Sequence, residues 1–331
     1  MPCTLPRPSS DNGATTENQN EARLYSRIMG DNMSNALDHE LEEINPEAFA
    51  SLRRMIATHA ARVAAGDTQP TEPRPPAKII QLPLWAEPVR GMPNPALRSA
   101  LFSAVQSKDR RFINYEKIAA VSGVEIRFKG EQLNQEDLEV CAEVFHLARL
   151  HPLGHTCRTA AHALLKALGR STGRTNHRQL HASLIRLQQP LELKVLGLSY
   201  SNPLIEKVIK DEVSRRYLIK VNAELAPLFH NGWTALDAEQ RRKLRGKPLA
   251  LWLHAFYATH AEPYPYKVET LRQLCGSRTT ALFHYRTQLR RALAELQAAG
   301  GIAGWEIDCD DLVHAHKVPT IICRRRKAPN N

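Results

Sequence analysis

From Lys267 to Ala299 the sequence reads KVETLRQLCGSRTTALFHYRTQLRRALAELQAA. A short helix is predicted over Lys267 to Cys275, and it should end at Gly276-Ser277 because glycine commonly closes helices. A long helix is predicted from about Thr279 to Ala299, before Gly300-Gly301. Its apolar side recurs at helical spacing: Leu282, Leu289, Ala292, Leu293 and Leu296. The stretch therefore predicts two helices joined by a tight turn.

Two strands are predicted to follow this pair of helices. Ile302 to Ile307 and Leu312 to Ile322 alternate around an acidic turn. Ahead of the pair, Ala238 to His260 is predicted to be helical, with a break near Gly246-Lys247-Pro248. A helix-turn-helix followed by a hairpin is the order of a winged helix, whose second helix lies in the major groove of DNA. The sequence therefore predicts a winged-helix domain over residues 236–331.

An earlier region repeats this order in more space. Asn134, with Asp137 three residues on, is predicted to cap a helix that runs to about Leu150. The other predicted elements are two strands within Phe112–Phe128, helices Thr159–Leu168 and Thr175–Leu187, and strands Leu191–Leu198, Leu204–Lys210 and Arg216–Val221. The two regions share no tandem sequence identity, so the repeat is one of architecture. We predict a first winged-helix domain over residues 91–235.

The N-terminal region differs from these two regions in charge. Residues 1–76 hold 11 acidic and 7 basic residues, whereas the remainder holds 23 acidic and 38 basic. We predict a mostly disordered acidic tail over 1–76 with a helix over 46–65, and a linker over 77–90. The fold class is therefore α+β: two tandem winged-helix (helix-turn-helix) domains preceded by a largely disordered N-terminal tail.

The net charge of +11 and the pI near 9.5 indicate a polyanionic partner. The 48 residues between Glu143 and Glu192 contain no carboxylate, and neither do the 25 residues between Glu269 and Glu295. Each stretch falls on a predicted helix-turn-helix, where acids would be interspersed on an ordinary solvated face. The alternative for any single arginine is a solvated helix face. The pattern placed twice favours contact with DNA.

Candidate DNA-binding residues follow from this geometry. Outward polar side chains of a recognition helix reach base edges, while flanking cations hold phosphates. In the first region the candidates are Arg158, Arg174, Asn176, His177, Arg178 and His181. In the second they are Arg278, Thr279, Thr280, His284, Arg286 and Arg290, of which all but Arg290 are predicted to occupy the first two turns of the long helix.

A short apolar peptide follows the proline-rich linker: Ile79-Ile80-Gln81-Leu82-Pro83-Leu84-Trp85. An exposed Leu84-Trp85 pair would not help to solubilise a linker, so these side chains should enter a pocket. The pattern of Gln81, Leu82, Leu84 and Trp85 resembles the bacterial sliding-clamp binding motif, in which the glutamine hydrogen-bonds beside a cleft that the leucine and the aromatic ring fill. The alternative is that Leu82 to Trp85 pack onto the first domain.

Several blocks together resemble the TrfA family of plasmid replication initiators. They are Gln81–Phe102, Glu262–Pro265, Val268–Leu271, Leu274–Ser277 and Asp310–His314, within a similarity that spans about Lys78 to Lys317. The resemblance implies two winged-helix domains that bind double-stranded iteron repeats at a plasmid origin. It also implies melting of AT-rich DNA, with single-stranded DNA as a further candidate ligand. The implied partners are the host initiator, replicative helicase and sliding clamp, and a homodimer in equilibrium with DNA-binding monomers.

The resemblance carries over to particular residues. Thr280, Arg286 and Gln288 match the second recognition helix of the family, and Gln81, Leu82 and Leu84 match its clamp peptide. Trp85 replaces the usual Phe, Phe283-His284 stands where a basic pair is expected, and Arg290-Arg291 lacks a counterpart. The iteron sequence that this chain reads should therefore differ.

Enzymatic functions find little support in the sequence. His314-Ala315-His316 is similar to the metal-binding pair of rolling-circle nickases, but no spaced tyrosine motif accompanies it. His151 with His155, and His177 with His181, have zinc-like spacing without a completing ligand. The six cysteines form no C-x-x-C pair, and no glycine-rich phosphate loop is present. We expect a non-enzymatic protein without metal or cofactor, with reduced thiols.

Two further expectations concern class and location. A dimeric transcriptional repressor would carry similar basic helices, but usually only one DNA-binding unit, so initiation is favoured and a nickase is the least supported class. No apolar run approaches the roughly 18 residues that span a bilayer, and residues 1–10 lack the order of a secretion signal. We therefore expect a cytoplasmic protein with no membrane partner.

Overall fold

The computed structural model describes residues 80–318 together with Ala50, Arg54, Ala57 and Thr58. The chain divides into two units, Met1–Ala77 and Lys78–Asn331. In the first unit the four described residues are helical, and Arg54 Nε donates to the Ala50 carbonyl (3.2 Å). Several predictions fall outside the described residues: the rest of the helix predicted over 46–65, the linker before residue 80, and the strand end predicted at Ile322. Cys3 and Cys323 also lie outside them.

The second unit contains helices and strands in a mixed α+β arrangement. Its α-helices are α1 (Asn94–Leu97), α2 (Gln135–Ala148), α3 (Ala161–Ala167), α4 (Arg174–Arg186), α5 (Ala226–His230), α6 (Ala238–Lys243), α7 (Pro248–Ala258), α8 (Val268–Leu274) and α9 (Leu282–Ala298). None of these helices combines the length and the apolar character that crossing a bilayer requires.

The strands form four antiparallel sheets within residues 80–318. They are β1 (Val89–Pro93), β2 (Phe112–Ile118), β3 (Val124–Glu131), β4 (Thr156–Ala160), β5 (Leu191–Val195), β6 (Leu198–Ser201), β7 (Ile205–Lys210), β8 (Arg216–Val221), β9 (Trp233–Asp237), β10 (Tyr266–Lys267), β11 (Gly304–Ile307) and β12 (Leu312–His316). The sheet orders are β1-β9, β2-β3-β5-β6, β4-β8-β7 and β10-β12-β11.

Two sets of elements run in the same order. The first set is α2, β4, α3, α4, β7 and β8, and the second is α7, β10, α8, α9, β11 and β12. Each set reads helix, strand, helix, helix, strand, strand, and in each sheet the last strand lies between the other two. The same local architecture is therefore built twice in one unit from unrelated sequence.

Two hairpins follow α4 in sequence, and it is the second of them, β7 with β8, that packs beside α4. Strands β5 and β6 join β2 and β3 in a four-stranded sheet, where Ile126 pairs with Leu193 and Phe128 with Leu191. All four of these side chains are buried. The predicted strand 191–198 is thus an insertion that completes a separate sheet, and β7 with β8 forms the hairpin that accompanies α4.

The buried apolar side chains fall into two cores. The first includes Phe102, Phe128, Phe145 and Phe229, and the second includes Trp252, Phe256, Tyr257 and Tyr285. Hydrogen bonds join the two sets: Trp252 Nε1 donates to the Ser99 carbonyl (3.0 Å), Arg98 Nε to Thr259 Oγ1 (2.8 Å) and Arg241 Nη2 to Gln135 Oε1 (3.1 Å). The two cores are therefore linked through polar side chains that are themselves at least partly buried.

The start of α2 is fixed by a buried carboxylate. Asn134 caps the helix through the backbone N–H groups of Glu136 and Asp137, and Asp137 Oδ2 accepts from the Asn134 N–H (3.1 Å), which completes a capping box. Asp137 is fully buried and also pairs with Arg110 and with Arg186 at the end of α4 (2.9 Å). The predicted cap is therefore present, and its carboxylate also fastens α4 against α2.

A buried histidine makes the second core sensitive to acid. Burial, together with the smaller effect of the nearby Arg241, lowers the pKa of His254 from 6.5 to about 3. Its Nε2 lies 2.9 Å from Gln240 Oε1 in α6, so the neutral ring links α6 to α7. Because the folded pKa lies below the unfolded one, the stabilisation is complete above pH 6.5 and is lost as the pH falls towards 3.

We expect this residue alone to lower the free energy of unfolding by about 2 kcal/mol between pH 8 and pH 5. A His254→Gln variant should lack that part of the pH dependence, as measured by urea unfolding at the two pH values. The exposed His316 provides the matched control, since His316→Gln should retain the parent dependence. Equal slopes for the parent chain and His254→Gln would contradict the assignment.

Candidate nucleic-acid interface

A cavity of about 760 Å³ lies between α4 and the β7–β8 hairpin. We call it the basic groove, and its lining consists of Ala161, Thr172, Arg174, His177, Arg178, His181, Lys210, Glu212, Arg215 and Tyr217. Four of the predicted DNA-binding residues lie at positions i, i+3, i+4 and i+7 of α4 and so share one helix face: Arg174, His177, Arg178 and His181. The fold brings these four candidates together.

The groove carries more cations than carboxylates. Among residues 80–318, Arg174, Arg178 and Arg215 form no ion pair. Glu212, the one carboxylate in the lining, is paired with Lys210 (2.6 Å). Unpaired guanidinium groups around an open cavity are the arrangement that a phosphate backbone requires, because each contact displaces condensed counterions.

Two cationic residues of the groove, Lys210 and Arg215, were missing from the sequence-based candidates. They lie at the two ends of the turn between β7 and β8, where Asp211 and Glu212 interrupt the positive charge. An acid-free pattern could not reveal them for this reason. The available signal was the predicted pair of strands, which places Lys210 and Arg215 at the ends of the turn that joins them.

The first-region candidates differ in their surroundings. His181 stacks on Tyr217 with ring centroids 6.0 Å apart, so it forms part of the groove wall. Asn176 Nδ2 donates to the carbonyl (2.9 Å) and to Oγ (2.8 Å) of Ser171, and so it holds the turn before α4. Arg158 is exposed on β4 and does not line the groove.

In the second set, the long helix begins later than predicted. Helix α9 starts at Leu282 after an extended Ala281 (φ −76°, ψ 115°), so Arg278, Thr279 and Thr280 precede the helix and do not occupy its first turns. Hydrogen bonds explain the difference: the Thr279 N–H donates to Ser277 Oγ (3.2 Å), and Arg272 Nη1 donates to the Thr279 carbonyl (3.0 Å). These bonds favour an extended turn over another helical turn.

The outward face of α9 is polar and basic except at one position. Between Leu282 and Arg291 its exposed residues are Phe283, His284, Thr287, Gln288, Arg290 and Arg291. Leu289 and Leu293 are buried on the opposite side, as the predicted apolar stripe requires, and Tyr285 is buried with them. Arg290 and Arg291 form no ion pair within residues 80–318. We refer to these six exposed residues as the outward face of α9.

Four polar candidates in or near α9 are already engaged within the fold. Arg286 forms a two-pronged pair with Asp311 in the β11–β12 turn, with both N–O distances at 2.8 Å. Gln288 Oε1 accepts from Thr279 Oγ1 (3.2 Å). Arg278 Nη1 donates to the Asp109 carbonyl (2.8 Å) and so ties the turn before α9 to the first core region. A base contact by Arg286 would require the pair with Asp311 to open.

The predicted clamp peptide lies against the first core. Leu82 is buried and Trp85 is only 7% exposed, stacked on Phe229 with ring centroids 6.2 Å apart. A Cβ atom at Gly91 would lie 2.6 Å from the Trp85 ring, so this position requires glycine. Leu84 is 70% exposed. The packing alternative therefore describes this structure for Leu82 and Trp85, whereas Leu84 remains accessible.

Hydrogen bonds hold the same peptide in place. Gln81 Nε2 donates to the Arg149 carbonyl (2.8 Å) and Trp85 Nε1 donates to His146 Nδ1 (2.9 Å). Burial lowers the pKa of His146, which keeps the ring neutral so that Nδ1 can accept. Glu87 lies 3.1 Å from the other ring nitrogen and accepts from Arg149 Nη2 (2.7 Å). Together these contacts form what we call the Trp85 latch.

Within residues 80–318 the histidines considered as metal ligands are not joined by enough further ligands to hold a metal ion. No group of three or more His, Cys, Asp or Glu side chains within residues 80–318 is placed to hold a metal ion. His314 Nε2 lies 2.9 Å from Asp308 Oδ2 in the β11–β12 turn. The thiols of Cys141, Cys157 and Cys275 are free and buried, and that of Cys309 is free and exposed.

Comparison with known proteins places the chain in a family. A family model described as TrfA protein matches residues 76–317, and the chain belongs to the TrfA family. The plasmid replication initiator protein TrfA of Escherichia coli is 28% identical over an alignment of 252 residues, which covers 72% of this chain. The matched region spans 64% of the length of that relative.

Solved structures give a more distant likeness. A crystal structure of domains 2 and 3 of RctB is 13% identical with a TM-score of 0.43, and it covers 65% of this chain and 88% of the RctB chain. A second structure of RctB domains 2–3 is 12% identical with a TM-score of 0.39, and it covers 59% of this chain and 81% of the other.

Proposed function

We propose that this protein initiates plasmid replication by binding repeated sequences at an origin. Membership of the TrfA family supports the proposal, and the observation that carries it is the basic groove beside α4. Each of the two sets of elements is proposed to be a winged helix, with α4 and α9 as recognition helices. The twofold order of helix, strand, helix, helix, strand, strand and the central last strand of each sheet support this assignment.

Two recognition helices in one chain suit a direct repeat bound by a monomer. The proposal includes an inactive homodimer in equilibrium with that monomer, opening of a neighbouring AT-rich segment, and work in the cytoplasm where the plasmid is replicated. A repressor would instead bind a palindrome as a dimer. Stoichiometry measured on an origin fragment separates the two classes, because an initiator of this kind should bind one chain per repeat.

Contact with host factors is the second part of the proposal. The peptide Gln81 to Trp85 is proposed to bind the sliding clamp, and the host initiator and helicase are proposed as further partners. The exposure of Leu84 supports clamp binding, while the burial of Trp85 means that the latch must open first. We further propose that the protein is not an enzyme. Covalent protein–DNA adducts on supercoiled plasmid with magnesium would instead indicate a nickase.

The groove gives a direct test of DNA binding. In the Arg174→Ala, Arg178→Ala double variant, we expect the affinity for origin repeats to fall roughly 10- to 100-fold and the slope of log affinity against log salt to fall by about 2, since each phosphate contact contributes about 1. Fluorescence anisotropy at several salt concentrations measures both quantities. Both arginines are exposed, so the fold should be unaffected.

The control for this test removes equal charge elsewhere. Arg111 and Arg127 are exposed on or beside the β2–β3 hairpin and are paired with Glu116 and Glu125. The Arg111→Ala, Arg127→Ala variant should therefore keep the parent affinity and salt slope. If the groove variant and this control bind the repeats equally, the groove is not the DNA contact.

A further inference from the structure

Phe283 is the apolar exception on the outward face of α9. It is 70% exposed in the first turn of the helix, and its ring has His284 as its aromatic neighbour, with centroids 5.6 Å apart. It shares its side of the helix with Thr287 and Arg290, four and seven positions further on. A phenyl ring is thus presented to solvent at the leading end of a basic helix face.

The surrounding charge limits what can cover this ring. Arg290 and Arg291 lie on the same face without ion pairs within residues 80–318, and His284 is adjacent. A second copy of the chain docked on the same face would bring two sets of arginines together, which is unfavourable. A polyanion neutralises them instead. The charges therefore favour DNA as the occupant.

The chemistry of the ring then limits what it can contact on DNA. A phenyl group forms no conventional hydrogen bonds to phosphates or base edges. In the major groove the apolar feature that base edges present is the C5 methyl group of thymine. Residues at the N-terminal end of a recognition helix are the ones that reach base edges.

We propose that Phe283 contacts a thymine methyl group in the repeat bound by α9 and so determines specificity at that position. The inference rests on the proposed function, since it requires α9 to lie in the major groove. It gives a physical reason why Phe283-His284 can stand where a basic pair was expected: the ring reads a methyl group where a cation would read acceptors.

The test replaces each thymine of one repeat singly with uracil, which differs only by lacking that methyl group. With the full chain, we expect one position at which this change weakens binding about fourfold, the value of burying one methyl-sized group. The Phe283→Ala variant should bind thymine repeats more weakly and should bind the uracil and thymine repeats equally at that position. The exposed Phe112, at 66%, is the matched control, and Phe112→Ala should keep the fourfold preference.

The outcomes separate this inference from the proposed function. One contrary result is a parent chain that prefers the repeats over random duplex and yet loses no affinity at any thymine-to-uracil replacement. Another is a Phe283→Ala variant that still loses affinity at that replacement. Either result would show that the role assigned to Phe283 is wrong and would leave repeat binding intact. If the parent chain has no preference for the repeats, both fail. A change in the monomer–dimer equilibrium of Phe283→Ala without loss of thymine discrimination would assign the ring to self-association and overturn the proposal.

Discussion

We expect the Asp137→Ala variant to unfold with a free energy about 3 to 5 kcal/mol below that of the parent chain. It removes the buried carboxylate between two buried guanidinium groups, which keep only the half-exposed Glu131 as an ion-pair partner. Asp137 has no exposed surface, and its two partners, Arg110 and Arg186, are themselves 4% and 13% exposed in their side chains. The same substitution removes half of the capping box at the start of α2. Urea unfolding monitored by circular dichroism measures the change.

The control for this prediction is an ion pair on the surface. Glu239 and Lys243 are 3.8 Å apart on α6 with side chains 76% and 58% exposed, so Glu239→Ala should change the free energy of unfolding by less than about 0.5 kcal/mol. An intermediate loss is expected for Asp137→Asn, which can still accept a hydrogen bond but carries no charge. A cost below 1 kcal/mol for Asp137→Ala would show that the network does not hold α4 to α2.

The second large effect is expected at Trp85. Truncating a buried tryptophan to alanine costs about 3 to 5 kcal/mol, and Trp85 also loses its stacking on Phe229 and its bond to His146. We therefore expect Trp85→Ala to lower the free energy of unfolding by at least about 3 kcal/mol, measured by urea unfolding. Trp85→Phe keeps the ring without the N–H donor, so it should cost less.

Leu84 separates stability from partner binding at the same peptide. Because Leu84 is 70% exposed, Leu84→Ala should leave the free energy of unfolding within about 0.5 kcal/mol of the parent value. The same variant should weaken binding to purified sliding clamp in a pull-down or by calorimetry. Unchanged clamp affinity for Leu84→Ala would remove the clamp from the proposed partners, whereas a fully stable Trp85→Ala would contradict the latch.

Local signals made some elements predictable from the sequence. Asn134 with Asp137 three residues later is a complete helix-start signal within four positions, and α2 begins one residue after Asn134. The apolar stripe of α9 was also predictable, because helical spacing depends only on neighbouring turns. The start of α9 was not predictable. It depends on the hydrogen bond from Arg272 to Thr279 across a turn, and the helix propensities of single residues carry no information about such a bond.

Non-local pairing explains the rest of the differences. Whether β5 joins β7 or β3 depends on Phe128 and Ile126, more than 60 residues earlier in the chain. The engagement of Arg286 by Asp311 joins positions 25 residues apart, so a basic helix face read from sequence overstates the free charge. For the peptide at Gln81, the sequence supported both partner binding and internal packing, and the fold was needed to place Trp85 on Phe229 and His146.

The Trp85 latch lowers the apparent affinity of any partner protein that must bind the Trp85 side chain. If opening it requires about 3 kcal/mol, only about one free molecule in a hundred or two displays the ring at any moment. The apparent dissociation constant is then raised by the same factor of roughly a hundred over the intrinsic one. Replacing His146 by a residue that cannot accept from the indole should therefore tighten such an association without touching the contact itself.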